Sequence, residues 1–186
     1  SQQSTTITLQ YNATDSVNIS FADLYINGVV NATNDTVGNG EISSFTVDDL
    51  AEGRYNWTVN VTNVYNLTAQ AQVKWFTIDY TPPGINLSAP TNNSTINQSY
   101  ASFNFTATDN INDTLTCNIT INSIVRASNF SATPGVMTSK NISNLSNGNN
   151  YWNVTCWDKA GNTNTSETWR LNVSSAPTVV LNSPYD

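Results

Sequence analysis

The feature that most constrains this chain is that it repeats itself, and that each repeat is written in period two. Gly53-x-Tyr55-x-Trp57-x-Val59-x-Val61 returns 95 residues later as Gly148-x-Asn150-x-Trp152-x-Val154-x-Cys156. Asn12-Ala13-Thr14-Asp15 returns as Thr106-Ala107-Thr108-Asp109, and Ile85-x-Leu87-x-x-Pro90 as Val179-x-Leu181-x-x-Pro184, both 94 residues on. Three anchors that agree describe a unit of about 95 residues, the size of one β-sandwich. Apolar residues alternate with polar ones at Phe103, Phe105 and Ala107, at Leu115, Cys117, Ile119 and Ile121, at Trp152, Val154 and Cys156, and at Trp169, Leu171 and Val173. Side chains of a strand point alternately to opposite faces, so each series is one buried face. Turn signals such as Asp109-Asn110, Pro134-Gly135 and Gly161-Asn162 separate the runs, and no segment carries a helical stripe.

Tandem prolines at Thr81-Pro82-Pro83-Gly84 fix φ and remove backbone donors, so a strand ladder stops there. Ala176-Pro177 marks a second boundary. The predicted layout is a sandwich over 1–81, a second over 82–176, and a tail over 177–186. The second repeat opens with a strand near Ile85 and Leu87. The first has no counterpart, because the sequence starts near its second strand at Ile7-Thr8-Leu9. The tail repeats the opener with no sandwich behind it. The expectation is two repeats cut out of phase, with a missing strand at the front and a spare one at the back.

The residues Gly148, Trp152, Val154, Cys156, Asp158, Ala160, Gly161 and Asn162 resemble the last hairpin of the immunoglobulin-like (fibronectin III-like) tandem repeats of bacterial and archaeal cell-surface proteins. Pro83, Leu87 and Pro90 are similar to the first strand of the same repeats. The resemblance implies an all-β chain of two tandem immunoglobulin-like β-sandwiches, and it leaves function open, because that fold hosts many functions. The first repeat departs from the pattern where Asn63-Val64-Tyr65-Asn66 replaces the Asp-x-Ala-Gly-Asn turn.

Composition narrows the function classes. Charged residues make up 10% of the chain, against roughly 25% in ordinary soluble domains, and net charge is −7. No basic cluster argues for nucleic acid or an anionic membrane, and no apolar run is long enough to span a bilayer. The chain has no histidine, the usual acid–base group near neutral pH. No nucleophile–base pair or Gly-rich phosphate loop is legible, so no enzymatic activity is expected.

Of 30 asparagines, 20 begin an Asn-x-Ser/Thr triplet, the acceptor of N-glycans. Ser and Thr total 46 of 186 residues, so chance placement gives about 7. Alternating strands produce polar–apolar–polar triplets by themselves, but Asn is a poor strand former and Thr would serve better. The expected acceptors are Asn12, Asn18, Asn31, Asn34, Asn56, Asn60, Asn66, Asn86, Asn93, Asn97, Asn104, Asn112, Asn118, Asn129, Asn141, Asn144, Asn153, Asn164 and Asn172. Asn92 overlaps Asn93 and is left out. Glycans would keep wet a surface that is short of charge, and they imply an extracellular, cell-surface location.

Alternation points Cys117 and Cys156 inward on strands that neighbour each other in such a sandwich, with Ala22 and Val61 at the matching places of the first repeat. A disulfide between them is expected. Covalent glycans aside, no cofactor is expected. Calcium at an interdomain junction is the lesser alternative, since no loop carries regularly spaced oxygen ligands. Lys74 and Lys140 offer amines for isopeptide bonds, with nothing local to distinguish them from solvated lysines. Trp57, Trp152 and Trp169 read as core, and Trp157 as the exposed tryptophan.

Three functions fit this sequence. The first is a structural subunit of a glycosylated filament, a head-to-tail homopolymer in which Val179 and Leu181 of one chain complete the first sandwich of the next. An unpaired strand edge invites such pairing, and a contact that does not close propagates. The second is a segment of a long surface-layer or stalk array, with the missing strand just upstream. The third is an adhesin or carbohydrate-binding module.

Overall fold

The computed structural model describes residues 6–177 and 179. All its regular structure is strand, and the chain divides between Tyr80 and Thr81 into two compact units.

In unit 1, β1 (Ile7–Asn12) and β4 (Ile42–Val47) form a two-stranded sheet. The facing sheet runs β3 (Val29–Asn34), β2 (Ile19–Ile26), β5 (Gly53–Asn63) and β6 (Thr68–Gln70), with β7 (Lys74–Ile78) paired to the other end of β5. Leu9, Phe45 and Val47 of the small sheet pack against Ala22, Leu24, Ile26 and Val59 of the large one. The β2–β3 hairpin turns through Asn27 (φ 50) and Gly28 (φ 79). A two-residue turn with both φ values positive matches the right-handed twist of its strands.

Unit 2 repeats this plan strand for strand. Its first sheet holds β8 (Gly84–Ala89), β10 (Ala101–Thr108) and β13 (Met137–Ile142). Its second runs β12 (Ile124–Ala132), β11 (Leu115–Ile121), β14 (Gly148–Trp157), β16 (Trp169–Val173) and β9 (Ser94–Ile96), with β15 (Thr163–Thr165) on β14. β10, β11, β12, β13, β14, β15 and β16 match β1, β2, β3, β4, β5, β6 and β7 at the repeat spacing. β8 and β9 have no match among the described residues of unit 1.

The predicted buried faces are those observed. Phe103, Phe105, Ala107, Leu115, Cys117, Ile119, Trp152, Val154, Cys156 and Leu171 are all fully buried. Trp169 is half-buried and meets Trp152 edge to face at 5.9 Å. The β5 strand breaks the simple alternation, since Thr58 and Thr62 on its polar side are buried. Thr58 Oγ1 donates to the Ala71 carbonyl at 2.7 Å, where the chain passes over β5 on its way from β6 to β7.

Of the tail, Val179 is 81% exposed, and the rest of the Thr178–Pro184 opener, Leu181 included, lies outside the described residues.

Candidate functional site

In unit 2, β10 is paired on both edges. β13 lies on one side and β8 on the other, with Phe105 opposite Leu87 and Ala107 opposite Ile85. Ile85 and Leu87 pack on the core. The start of β8 is tied down from the other sheet, where Asn164 Nδ2 donates to the Pro83 carbonyl at 2.8 Å.

In unit 1, β1 is paired to β4 alone among the described strands. Beside its other edge runs a cleft of about 360 Å³, lined by Tyr11, Ala13, Val59, Val61, Leu67 and Ala69 among others. Its walls are the counterparts of the residues that surround β8. Tyr11, Ala13 and Val61 are only half-buried, whereas Phe105, Ala107 and Cys156 at the same places are fully buried. Ala69 stands where Asn164 holds Pro83. The cleft thus borders the edge of β1 that no described strand pairs with, and its lining mixes these apolar residues with Asn12, Thr14, Asp15, Asn63, Thr68 and Gln70.

The second candidate feature covers the surface of both units. All 20 triplet asparagines are exposed or half-buried, while the two asparagines buried among the described residues, Asn63 and Asn150, both lie outside triplets. A glycan replaces one hydrogen of Nδ2, so that atom must reach solvent. Asn18, Asn31, Asn66, Asn86, Asn93, Asn97, Asn129, Asn141 and Asn144 are exposed. Six others use Nδ2 as a donor within the fold: Asn164, Asn34 to Tyr11 Oη at 3.1 Å, Asn112 to Asp109, Asn12 to the Gly40 carbonyl, Asn153 to Thr168 and Asn172 to Thr95. Asn56, Asn60, Asn104 and Asn118 stand half-buried on strands, and Asn118 Oδ1 accepts from the Asn129 amide at 2.7 Å.

Cys117 and Cys156 form a disulfide between directly opposed residues of β11 and β14, with Cα atoms 4.1 Å apart. Ala22 and Val61 are opposed in the same way in unit 1.

The turn in which the repeats differ in sequence is nevertheless built alike. Asp158 Oδ1 accepts from the Asn162 amide, and Asn63 Oδ1 accepts from the amides of Tyr65 and Leu67. Asn63 Nδ2 also donates to Asp15 at 3.2 Å. Unit 2 has two carboxylates there, and oxygens of Asp109 and Asp158 lie within 4.8 Å of each other. Asp158 spends both of its oxygens on Asn162.

Trp75 is the exposed tryptophan, at 57%, with the Arg54 guanidinium 4.8 Å from its ring centroid. Trp157, expected to be exposed, is half-buried. It lies where β14 is flanked by both β11 and β15, and those strands shade its face of the sheet. Lys140 sits over the Phe130 ring at 4.5 Å, and Lys74 is exposed on β7. Lys159 bonds Asp113 at 2.8 Å, and this contact holds the exposed Asp113 carboxyl below the usual carboxylate range. No described helix is long and apolar enough to cross a membrane.

Two sandwiches in series, each built on the same immunoglobulin-like strand plan, define the class of this chain. No family model matches it, and no curated protein matches it. Among solved structures it is similar to the fibronectin(III)-like modules of CbhA from Clostridium thermocellum. That similarity amounts to 15% identity over 97% of this chain and 91% of that chain, with a TM-score of 0.48.

Proposed function

We propose that this chain is a structural subunit of a heavily N-glycosylated extracellular filament, of the kind built from prokaryotic surface repeats and without enzymatic activity. Subunits join head to tail when the C-terminal segment of one copy enters the cleft beside β1 of the next. The observation that carries this reading is the match between cleft and segment. Unit 1 has an open cleft where unit 2 seats Ile85 and Leu87, and Val179 and Leu181 repeat those two residues in sequence. Burying two such side chains contributes about 1.5–3 kcal/mol each, and the new ladder satisfies the exposed edge of β1. The triplet asparagines support an extracellular setting, as does the disulfide, a bond that persists under oxidising conditions.

The test is a tail variant, Val179→Asp with Leu181→Asp, in the full glycosylated chain. Sedimentation should show polymer for the parent chain and monomer for the variant, with the unfolding of unit 2 unchanged. If the variant still polymerises, the reading is wrong. If the parent chain stays monomeric with the β1 edge protected from hydrogen exchange, the cleft is filled by its own chain and the array reading takes over. Intact mass before and after deglycosylation tests the sugar coat, and an unchanged mass would remove it.

A further inference from the structure

Four acceptor asparagines stand half-buried on strands, and the register gives each a neighbour on its own face of the sheet. Residues directly opposed across an antiparallel pair share a face, with Cβ atoms about 4.5–5.5 Å apart. Asn60 is opposed to Asp23 and Gln70, Asn104 to Ser139 and Ala89, and Asn118 to Thr155. Asn56 differs from these three, because β7 sets an aromatic ring, Trp75, opposite it.

Asn56 and Trp75 lie on the outer face of their sheet, since Tyr55, Trp57 and Phe76, which alternate with them, pack on the core. β7 is an edge strand. Among the described strands it pairs with β5 alone, whereas its counterpart β16 also pairs with β9. Arg54, two residues before Asn56 and on the same side of β5, lays its guanidinium 4.8 Å from the centroid of the Trp75 ring. That cation covers one face of the indole, and with Trp75 57% exposed the other face meets solvent. Asn56 bonds to Asn27 through its backbone amide and carbonyl, and its Nδ2 donates to no group among the described residues. Unit 2 changes both members together. Tyr151, which begins no triplet, replaces Asn56, and Arg170 replaces Trp75 opposite it.

We propose that the first sugar of a glycan on Asn56 lies flat on the open face of Trp75, which makes this glycan a packed part of unit 1. This deepens the reading of the triplets as glycan acceptors and rests on it. The anomeric carbon replaces one hydrogen of Nδ2, so the sugar starts beside the ring. A pyranose has a face of C–H groups, apolar and slightly positive, and the face of an indole is apolar and negative. Stacking the two removes apolar surface from water, while the hydroxyl groups at the sugar's rim stay hydrated. The ligand class is therefore a pyranose with an unobstructed C–H face, and later sugars of the chain extend into solvent. Arg54 supports the indole from its far side.

The experiment compares full-length glycosylated chains carrying Asn56→Gln, Trp75→Leu or both with the parent chain. Glycopeptide mass spectrometry reads whether Asn56 carries sugar, and denaturant titration reads the unfolding of unit 1. The parent and Trp75→Leu should both carry sugar at Asn56. With the sugar present, Trp75→Leu should lower the folding equilibrium constant of unit 1 by about fivefold to tenfold, and in the Asn56→Gln chain by less than about twofold. Trp75→Phe, which keeps an aromatic face, should recover part of the loss, and unit 2 should not move. Equal losses with and without the sugar would overturn the stacking and leave the sugar coat standing. An unmodified Asn56 among other modified triplets would overturn it at this site alone. If no triplet carries sugar, the reading of the triplets as acceptors falls with it.

Discussion

The two units share seven strands, and β8 and β9 of unit 2 have no counterpart among the described residues of unit 1, so the comparison shows what those two strands cover in unit 2. Sixteen buried residues form the core cluster of unit 2, against seven in unit 1. The shortfall includes Tyr11, Ala13 and Val61, which line the cleft, and also Ile7, Val37, Leu50, Trp57 and Phe76, all half-buried where their counterparts in unit 2 are buried. Among its described residues unit 1 thus has the seven shared strands and a core that is less covered than that of unit 2.

The largest expected effect comes from the disulfide, which only unit 2 has. The bridge joins residues 39 apart, and in the chain-entropy model a loop of that size contributes about 3–4 kcal/mol. Reduction, or Cys117→Ala with Cys156→Ala, should lower the unfolding midpoint of unit 2 and leave that of unit 1 in place. Ala22→Cys with Val61→Cys should do the converse, since those residues are opposed in the same register. A bridge in unit 1 that forms without stabilising it would break the equivalence.

Next comes the opener itself. Leu87→Ala removes one of the two side chains that close unit 2 and should cost about 2 kcal/mol, moving unit 2 towards unit 1 in denaturant titrations. Asn63→Asp should cost unit 1 about 1–2 kcal/mol, because the buried amide that donates to Asp15 becomes an acceptor. The smallest effect is at Lys159. The Asp113 carboxyl is held low by Lys159, so its contribution is present at neutral pH and fades as pH falls through that lowered pKa. Both groups are exposed, so Lys159→Ala should leave the midpoint of unit 2 within error at pH 7.

The strands were legible in the sequence because burial on one face leaves a period of two, as at Leu115, Cys117, Ile119 and Ile121. The pairing of Cys117 with Cys156 was legible because Ala22 and Val61 occupy the same pair of places. Less could be read where both faces of a strand are covered, as at Thr58 and Thr62, or where neighbouring strands shade an outer face, as at Trp157. The shared turn around Asn63 and Asp158 was hidden because an amide oxygen and a carboxylate oxygen cap the same backbone amides with different letters. The second edge at β7 left no mark in the pattern at all. It emerges only from the parallel pairing of β9 with β16, a contact between segments more than 70 residues apart.

The most direct test of the account is a cysteine pair across the proposed junction. Ala107 lies opposite Ile85 in unit 2, so Ala13 of one copy should lie opposite Val179 of the next. The chain carrying Ala13→Cys and Val179→Cys, oxidised and run without reductant, should give a ladder of covalent multimers that collapses to monomer on reduction. Monomer alone under oxidising conditions, with or without a bridge inside one chain, would contradict strand addition between copies.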